Sequence, residues 1–535
     1  MIVNELEVVN IDEVKKKYKV STLCAKVLAS KNLSDEQITE ILEPAKLQDP
    51  YDAHGMKEVI ERIELAKQRQ EKVLVCGDYD ADGICSTTIL YDALCKYGIT
   101  CGFYIPNRLK EGYGLHVNTV RLAKEKGYQL LITVDNGVKA FQALEEAQTL
   151  ELDVILSDHH SMDETPLPCQ HLLHPSKMGE AFQYLCGAGV ALEISRALIG
   201  ECKEHIALAC VASIGDCMPL WKETRAIVRL GMQYLKEGVC KPLQLLCDDA
   251  FPKWDEELIA FQIVPKLNAT GRLADIVNTN NTVRYLLNED LRQLQVVARQ
   301  IHDLNGERKR MSEEMYEFAK GLIQKEDTFH VIVHEDFHEG LVGLIAGKLF
   351  EELQQPVMVL AKHGNIYKGS IRSGDILDLT TFFNHFDGLS SYGGHRCAAG
   401  IGFETHMLDK LKAYIQKEMQ SVCVEKEKRY DVMRVCADEL TLQEVESLQL
   451  LAPFGQGFEN PLLYVDDCCV QAMKLLSEGK HVKWETKQQI ECLYFHVNGM
   501  YQQWVNKNDL RFIGHVRINE FRSLKKVNIF VRDIL

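Results

Sequence analysis

The segment Val73–Ser86, VLVCGDYDADGICS, constrains the fold of this chain more than any other stretch. Its first four residues are apolar and typical of a buried strand, and carboxylates then follow at alternate positions, at Asp78, Asp80 and Asp82. In an open α/β sheet, ligands gather where strands end and helices begin. Clustered carboxylates repel one another, so they suit hard divalent cations, which prefer oxygen ligands. A solvated, helix-capping turn is the alternative interpretation of this segment taken alone.

The bulk composition excludes several classes of protein. The 535 residues suffice for several domains, and 46% of them are hydrophobic. No apolar run approaches the roughly 20 residues of a membrane helix, and the N-terminus lacks a signal-peptide pattern, so we expect a cytoplasmic protein without a membrane. The 18 cysteines include no CxxC pair, which favours buried, reduced thiols over structural zinc. The net charge of −16 argues mildly against a nucleic-acid partner, although basic residues can be concentrated in one groove.

The order of apolar segments predicts an α/β fold. Strand-like runs alternate with helical patterns, which is typical of βαβ units and a mainly parallel sheet, and we expect the helix after the first strand to open near Ser86 and Thr87. A long polar helical pattern, Asp290–Gln324, precedes a second, smaller α/β unit. After the charged run Glu425–Arg429, short β-type segments indicate a small barrel or sandwich. We expect five regions: an N-terminal helical segment at 1–45 with Ser34 as a helix cap, a parallel-sheet domain at 46–278, a connecting helix at 279–325, a smaller α/β domain at 326–424 and a β-module at 425–535.

Metal-type side chains follow apolar runs at four places in the parallel-sheet region. They are Asp80 with Asp82, then Asp135, then Asp158 with His159 and His160, and finally Asp216. Because the ends of parallel strands meet at one edge of a sheet, we expect these side chains to converge. Mixed carboxylate and imidazole ligands suit Mn²⁺ or Mg²⁺, and two such ions can clamp a phosphate. A single carboxylate could coordinate both ions, and either Asp135 or Asp82 could be this shared ligand.

These motifs carry a resemblance to a known family. DxDG, VDNG and DHH with a later GD resemble the DHH phosphoesterase superfamily, and GSIRS at Gly369–Ser373 and GGHRCAAG at Gly393–Gly400 resemble its DHHA1 substrate-binding domain. Five further segments narrow the match: IPNRLKEGYG, PKLNATGR, LNGERKR, HEGLVGLIAGKL and APFGQG. The ordered set is similar to the superfamily's exonucleases, which degrade single-stranded DNA in the 5′→3′ direction. The resemblance covers about residues 45–465.

The resemblance implies a fold, a cofactor and a ligand set. It implies a parallel-sheet DHH domain, a long connecting helix, a smaller α/β DHHA1 domain and a C-terminal OB-type β-barrel, which binds single strands by charge and base stacking. Two Mn²⁺ or Mg²⁺ ions would be held by Asp80, Asp82, Asp135, His159 and Asp216. Metal-dependent pyrophosphatases of the superfamily have a histidine where this chain has Cys76. Asp78, water or Cys76 itself would therefore complete the shell of one ion.

The resemblance also implies the residues that act on the substrate. His160 would face the scissile phosphate, and Asp158 would orient or supplement the metal ligands. Asp135, itself a metal ligand, would also belong to the catalytic residues. The substrate would be bound by Arg108, Tyr113, Asn268, Arg272, Ser370, Arg372, Ser373 and His395.

We therefore expect a two-metal-ion phosphodiesterase that degrades single-stranded DNA to nucleotides in DNA repair and recombination. It would act as a monomer on single-stranded DNA, with a single-strand-binding protein and a helicase as further partners. One alternative is a DHH-type enzyme for short oligonucleotides or cyclic dinucleotides, although such relatives usually end after the second domain. The other is a catalytically silent replication scaffold, against which the complete Asp/His set argues.

Overall fold

The computed structural model describes residues 2–249, 252–324, 326–422, 428–497, 500–505, 507, 509–521 and 524–535. Its contacts divide the chain into two compact units, of which the first comprises Met1–Lys46, Pro219–Arg225 and Glu427–Leu535. The second comprises Leu47–Met218 and Ala226–Lys426. The expected boundaries at 325 and between 424 and 425 fall outside the described residues. Among the helices of the described residues, none combines the length and the apolar character needed to span a bilayer.

The chain begins with a short strand and three helices. These elements are β1 (Ile2–Glu5), α1 (Ile11–Tyr18), α2 (Thr22–Ser30) and α3 (Asp35–Leu42). Ser34 is the N-cap of α3, as the sequence predicts. Its hydroxyl accepts from the N–H of Gln37, whose side chain accepts in return from the N–H of Ser34, so two unpaired donors are satisfied.

A five-stranded, entirely parallel sheet forms the core of the second unit. Its strands are β2 (Val73–Cys76), β3 (Cys101–Tyr104), β4 (Leu130–Thr133), β5 (Asp153–Ser157) and β6 (His171–Leu173). They are paired in the order β3-β2-β4-β5-β6. The helices of this region are α4 (Met56–Gln68), α5 (Ala81–Tyr97), α6 (Val117–Glu125), α7 (Phe141–Thr149), α8 (Pro175–Met178), α9 (Gly187–Ile199) and α10 (Lys203–Gly215). The predicted parallel-sheet domain is confirmed.

The first helix after β2 begins earlier than predicted. It starts at Ala81 rather than near Ser86 and Thr87. Asp80 is its N-cap, and the Asp80 carboxylate accepts from the N–H groups of Asp82 and Gly83. Aspartate and glycine are poor helix formers in a helix interior, so sequence propensity pointed to a later start. The cap and the tertiary packing outweigh that propensity.

Further helices follow along the chain. They are α11 (Lys222–Lys236), α12 (Lys241–Leu245), α13 (Glu256–Leu258), the π-helix Ile259–Ile263, α14 (Val264–Arg272), α15 (Asn280–Leu286) and α16 (Leu291–Lys320). The predicted connecting helix is α16, capped by the carboxylate of Asp290. The helical pattern over Asp290–Gln324 was therefore too long at both ends, and α15 is a separate helix.

The second α/β region contains a mixed sheet. Its elements are β7 (His330–His334), α17 (Val342–Leu353), β8 (Val357–His363), β9 (Ile366–Arg372), β10 (Leu389–His395), β11 (Ala398–Glu404) and α18 (Leu408–Glu418). The strand order is β10-β11-β9-β8-β7, in which β7 and β8 are parallel and the other pairs antiparallel. The glycine-rich Gly393–Gly400 segment forms the tip of the β10–β11 hairpin.

The C-terminal region is a barrel with OB-type connections. Its elements are β12 (Arg429–Cys436), α19 (Leu442–Ser447), β13 (Leu463–Leu476), β14 (His481–Thr486), β15 (Glu491–Tyr494), β16 (Asp509–Phe521) and β17 (Leu524–Ile534). The order β13-β14-β15-β17-β16 closes because β16 also pairs with β13. This closed five-stranded barrel confirms the predicted OB-type module.

The N-terminal segment and the barrel region form one unit. β1 pairs in parallel with β12, which pairs with β13. The N–H of Leu23 donates to the carboxylate of Glu444 at 2.7 Å. Short 3₁₀ helices complete the fold at Pro50–Asp52, Glu180–Phe182, Gly374–Ile376, Thr405–Met407, Met419–Ser421, Ala437–Glu439, Leu448–Leu450, Ser477–Gly479 and Met500–Trp504.

Candidate metal centre and phosphate site

Acidic and imidazole groups converge at one edge of the parallel sheet. The ligand atoms lie within 4.8 Å of one another in each of three sets: Asp78 with Asp80 and Asp135, Asp82 with His159 and Asp216, and Asp135 with His159 and His160. Asp135 belongs to two of these sets and Asp82 to one, so the geometry favours Asp135 as the shared carboxylate. Asp216 follows helix α10 rather than a strand, yet it reaches the same cluster.

The N-terminal end of α9 holds Asp82 in place. The buried Asp82 carboxylate accepts from the N–H groups of Gly187 and Ala188, each at 2.7 Å. The positive end of the α9 dipole thus faces a carboxylate. A Cβ atom at Gly187 would lie 2.5 Å from the Cβ of Asp135, so a side chain there would displace Asp135. No local sequence pattern predicts this support, because α9 is distant from Asp82 along the chain.

The VDNG segment ties the ends of β2 and β4 together. Asp135 adopts a left-handed conformation with φ 62°, which residues other than glycine rarely take. The amide nitrogen of Asn136 donates to the carbonyl groups of Val134 at 2.9 Å and Cys76 at 3.1 Å. The segment therefore positions Asp135 rigidly beside the end of β2.

Asp158 is fully engaged by protein donors. Its Oδ1 accepts from the N–H of His159 at 2.7 Å and lies 2.8 Å from Nδ1 of His160, and its Oδ2 accepts from the N–H of Val138 at 3.0 Å. Asp158 belongs to none of the three ligand sets, and its contacts hold the backbone and ring of the neighbouring histidines, which fits a positioning role. His174 supports the same turn, since its Nε2 lies 2.8 Å from the carbonyl oxygen of His160. No motif in the sequence marks His174 for this role.

Several donor atoms in the cluster fit a divalent cation. Nε2 of His159 lies 3.1 Å from Oδ1 of Asp135 and 3.5 Å from Oδ2 of Asp216. Within the described residues, His159 Nε2, Asp135 Oδ1 and Asp78 Oδ1 are buried and have no hydrogen-bond partner. Unpartnered buried polar atoms are costly, and divalent cations bound in the cluster would satisfy these atoms. The mixture of carboxylate and imidazole is suited to Mn²⁺ or Mg²⁺.

Burial and mutual repulsion shift the pKa values of the cluster. Burial, followed by the charge of Asp82, raises the pKa of Asp216 to about 8. Burial and the neighbouring carboxylates raise the pKa of Asp135 well above its usual range. Burial lowers the pKa of His159, so its ring is neutral near pH 7 and can offer a lone pair. A cation would offset this repulsion.

The structure distinguishes Asp78 from Cys76. Cys76 packs in an apolar cluster with Leu74 and Leu131, and burial raises the pKa of its thiol to about 12. Asp78 lies with the carboxylates, where burial and the charge of Asp80 raise its pKa. The geometry therefore favours Asp78 over Cys76 as the additional ligand.

Aromatic contacts link the carboxylate cluster to the loop after β3. Tyr79, between two of the aspartates, has the Arg108 guanidinium 4.9 Å from its ring centre and the Tyr113 ring at 6.5 Å. The Tyr113 hydroxyl donates to the carbonyl of Asp135 at 3.1 Å and lies 3.0 Å from Nδ1 of His160. A Cβ at Gly271 would lie 2.2 Å from the carbonyl oxygen of Tyr79, so the PKLNATGR motif packs directly on this turn.

Arginines converge beside this turn. Burial and the charges of Arg108, Arg308 and Arg372 lower the pKa of Arg272 to about 9. Nη1 of Arg372 also donates to the hydroxyl of Ser370 at 2.7 Å. Since guanidinium groups stay protonated, their repulsion favours a bound anion such as phosphate. Arg308 joins this cluster although the sequence analysis did not place it in the substrate site.

The remaining predicted substrate residues occupy different environments. Oδ1 of Asn268 accepts from the N–H of Ala81 at 2.7 Å. The amide nitrogen of Asn268 is therefore the atom that would contact substrate. The Ser373 hydroxyl is fully buried and donates to backbone carbonyl groups, including that of Leu377 at 3.2 Å. The structure thus places Ser373 inside the fold, away from a surface that DNA could reach. His395 is exposed at the end of β10.

Comparisons with known proteins agree with this geometry. Three family profiles match: the DHH family N-terminal domain at residues 72–214, the DHHA1 domain at 326–421 and the RecJ OB domain at 433–533. The single-stranded-DNA-specific exonuclease RecJ of Bacillus subtilis (strain 168) is 30% identical over 96% of this chain and 68% of its own length. The chain belongs to the RecJ family.

Other RecJ proteins give similar matches. The Escherichia coli (strain K12) RecJ is 28% identical over 90% of this chain and 90% of its own length. The Thermus thermophilus RecJ is 29% identical over 81% of this chain and 64% of its own length. The chain therefore spans about two thirds of the length of the Bacillus and Thermus relatives.

Solved RecJ structures share the fold. The crystal structure of Thermus thermophilus RecJ with Mn²⁺ matches with a TM-score of 0.87 and 24% identity, over all of this chain and 79% of that one. A crystal structure of exonuclease RecJ bound to manganese matches with a TM-score of 0.62 and 29% identity, over 70% of this chain and 96% of that one. The predicted order of DHH, DHHA1 and OB domains is confirmed.

Proposed function

We propose that this chain is a metal-dependent exonuclease that removes nucleotides from the 5′ end of single-stranded DNA. This proposal rests on one observation: the turn that contains Tyr79 contacts both a carboxylate–imidazole cluster and an arginine cluster. The carboxylate–imidazole cluster and the arginine cluster meet at Tyr79, whose ring contacts Arg108. Related RecJ proteins are named single-stranded-DNA-specific exonucleases, which supports the same substrate here.

The ligands for two Mn²⁺ or Mg²⁺ ions would come from the converging sheet edge. We assign them to Asp80, Asp82, Asp135, His159 and Asp216, with Asp78 as an additional ligand. When bound, the ions would supply Lewis-acid charge that offsets the negative charge on the phosphate oxygens. Asp135 would be the shared carboxylate because it belongs to two of the three ligand sets.

His160 would stabilise the phosphate that is cleaved. Burial alone would lower its pKa, but the hydrogen bond and charge of Asp158 and the charge of Asp216 raise the pKa to about 9. The ring therefore carries a proton near pH 7 and can donate to a phosphate oxygen. Because Nδ1 is held by Asp158, Nε2 would make this contact.

The arginine cluster would hold the 5′-terminal phosphate. A terminal phosphate carries close to two negative charges at pH 7, whereas an internal phosphodiester carries one. Four guanidinium groups, from Arg108, Arg272, Arg308 and Arg372, suit the more highly charged group. Binding of the strand end beside the ligand cluster would place the first internal linkage at the site of cleavage.

The barrel would bind the longer strand. OB-folds bind single strands through charge and aromatic stacking. Its presence argues against an enzyme restricted to short oligonucleotides or cyclic dinucleotides, and the complete ligand set argues against a silent scaffold. A role in DNA repair and recombination, a monomeric state, a cytoplasmic location, and partnership with a single-strand-binding protein and a helicase stay predictions.

End-labelled substrates test this proposal. We expect the chain with Mn²⁺ or Mg²⁺ to release labelled mononucleotide at once from a 5′-labelled single strand, and late from a 3′-labelled one. Blunt duplex and circular single strands should persist, and excess chelator should abolish cleavage. Asp135→Asn should be inactive, whereas the matched control Asp163→Asn, at an exposed aspartate after the DHH segment, should be active. Early release from the 3′ label, or full activity in chelator, would contradict the proposal.

A further inference from the structure

A cavity beside the ligand cluster has no role in the function proposed above. It has a volume of about 610 Å³, and its lining includes Tyr113, His116, Gly137, Lys139 and Gln142. The Tyr113 hydroxyl lies 3.0 Å from Nδ1 of His160, so the cavity adjoins the histidine assigned to the scissile phosphate. The volume is within the range of ligand-binding pockets.

Two helices begin at this cavity. α6 and α7 are nine residues long, and neither has a side-chain cap at its N-terminus. Their N-cap residues, His116 and Ala140, both line the cavity. The first N–H groups of a helix have no intrahelical partner, and the helix dipole adds partial positive charge at this end. Two such ends facing one volume favour a bound anion.

Basic side chains strengthen this preference. Lys139 lines the cavity, is exposed, and forms no ion pair within the described part of the chain. After burial, the charges of His160 and Lys139 lower the pKa of His395, so both groups lie within electrostatic reach of His395. The Lys139 ammonium and the two uncapped helix ends would therefore attract a phosphate group into the cavity.

We propose that the cavity binds the next phosphate on the 3′ side of the one that is cleaved, with Lys139 as its cationic contact. This assignment rests on the proposed function, which gives the terminal phosphate to the arginine cluster. A single lysine and two helix ends match the single charge of an internal phosphodiester. Lys139 would be a positioning residue for the strand, with no part in the chemical step.

Substrate length separates this role from a structural one. A 5′-phosphorylated dinucleotide has one internal phosphate, which is cleaved, whereas a trinucleotide has the next one as well. Lys139→Met should raise KM for the trinucleotide and longer strands about five- to tenfold, as expected for one lost phosphate contact, and leave kcat unchanged. KM for the dinucleotide should not change. Lys126→Met, at the other end of α6, is the matched control and should resemble the unmodified chain.

A neutral linkage identifies the phosphate directly. A methylphosphonate at the second internal position of the trinucleotide should weaken binding to the unmodified chain, measured by fluorescence anisotropy, by the same factor as Lys139→Met. The methylphosphonate should cause no further loss of affinity in the Lys139→Met variant. For a long single strand, Lys139→Met should lower the slope of log affinity against log salt concentration by about 0.7.

Three results would overturn the assignment. They are equal kinetics for Lys139→Met and Lys126→Met, additive effects of Lys139→Met and the methylphosphonate, and an equal effect of Lys139→Met on dinucleotide and trinucleotide. The last result would indicate that the cavity binds the terminal phosphate or a released mononucleotide instead. If the unmodified chain cleaved no single strands, the proposed function would fail on its own, and the anisotropy comparison would still decide what the cavity binds.

Discussion

Nδ1 of His160 lies 2.8 Å from Oδ1 of Asp158, whereas the neighbouring His159 directs Nε2 toward Asp135 at 3.1 Å. Adjacent residues of one strand end therefore have different partners. His160 is held as a charged donor by a buried carboxylate, and His159 offers a neutral nitrogen to the ligand cluster.

This division predicts opposite defects for the two histidines. His159→Ala should weaken Mn²⁺ binding, measured by calorimetry, because one ligand is lost. His160→Ala should retain Mn²⁺ and reduce single-turnover cleavage about a hundredfold or more at saturating metal, the scale of losing an acid–base or charge-stabilising group. Loss of Mn²⁺ from His160→Ala but not from His159→Ala would reverse the assignment, and equal loss from both would refute the division.

Asp135→Asn should separate stability from activity. Asparagine tolerates the left-handed conformation at this position, and the change removes a carboxylate whose pKa is raised by burial and its neighbours. In chelator, we expect thermal unfolding at the same or a higher temperature than for the unmodified chain, with cleavage reduced at least about a hundredfold in metal. Mn²⁺ should raise the melting temperature of the unmodified chain more than that of the variant. A marked loss of metal-free stability would contradict the repulsion argument.

Gly187→Ala should disturb the ligand cluster through packing. The added methyl group would lie 2.5 Å from the Cβ of Asp135 and would move either Asp135 or the end of α9. We expect cleavage to fall at least about tenfold and the free energy of unfolding to fall by about 1–3 kcal/mol, the usual cost of overpacking. Gly306→Ala, in α16 with open space around it, is the matched control and should be neutral or stabilising. Normal cleavage by Gly187→Ala would show that the cluster tolerates this shift.

Phe495 tests the barrel as a strand-binding module. Phe495 is 43% exposed, follows β15 directly and stacks on Phe530. β15 is the third strand of the barrel, and the second and third strands of OB-folds form the face that binds oligonucleotides. Phe495→Ala should weaken binding of a long single strand by about 1–3 kcal/mol, the value of one stacked base, without changing kcat on a trinucleotide. Leu450→Ala, at a similarly exposed apolar residue outside the barrel strands, is the control. Unchanged affinity of Phe495→Ala for long strands would exclude this face.

The contact between His205 and Asp92 should make the thermal stability of the chain depend on pH. Its Nε2 lies 2.7 Å from the Asp92 carboxylate. Although burial alone would lower its pKa, this hydrogen bond raises it above the ordinary value. A raised folded-state pKa stabilises the fold fully below the unfolded value of about 6.5, and the contribution is lost as pH rises through the folded value. The difference in melting temperature between the unmodified chain and His205→Gln should therefore shrink as pH rises above neutrality. A difference that grew with pH would contradict this sign.

Local sequence determined much of this protein. Apolar runs followed by DxDG, VDNG and DHH located the strand ends that carry the clustered carboxylates and histidines, because parallel strands must bring those ends to one edge. Ser34 was recognisable as a cap, since capping depends on residues within one turn. Propensity failed at Ala81, where the Asp80 cap and tertiary packing start α5 before the predicted residues.

The tertiary structure decided what depends on distant segments. The amides of Gly187 and Ala188 on Asp82, the engagement of both Asp158 oxygens and the burial of Ser373 arise from contacts that no local pattern encodes. The different environments of Cys76 and Asp78, an apolar cluster and a carboxylate set, also required the fold, because the two residues are only two positions apart in the sequence. Sequence spacing specifies which residues reach the sheet edge, whereas burial, hydrogen bonding and charge there depend on elements that only folding brings together.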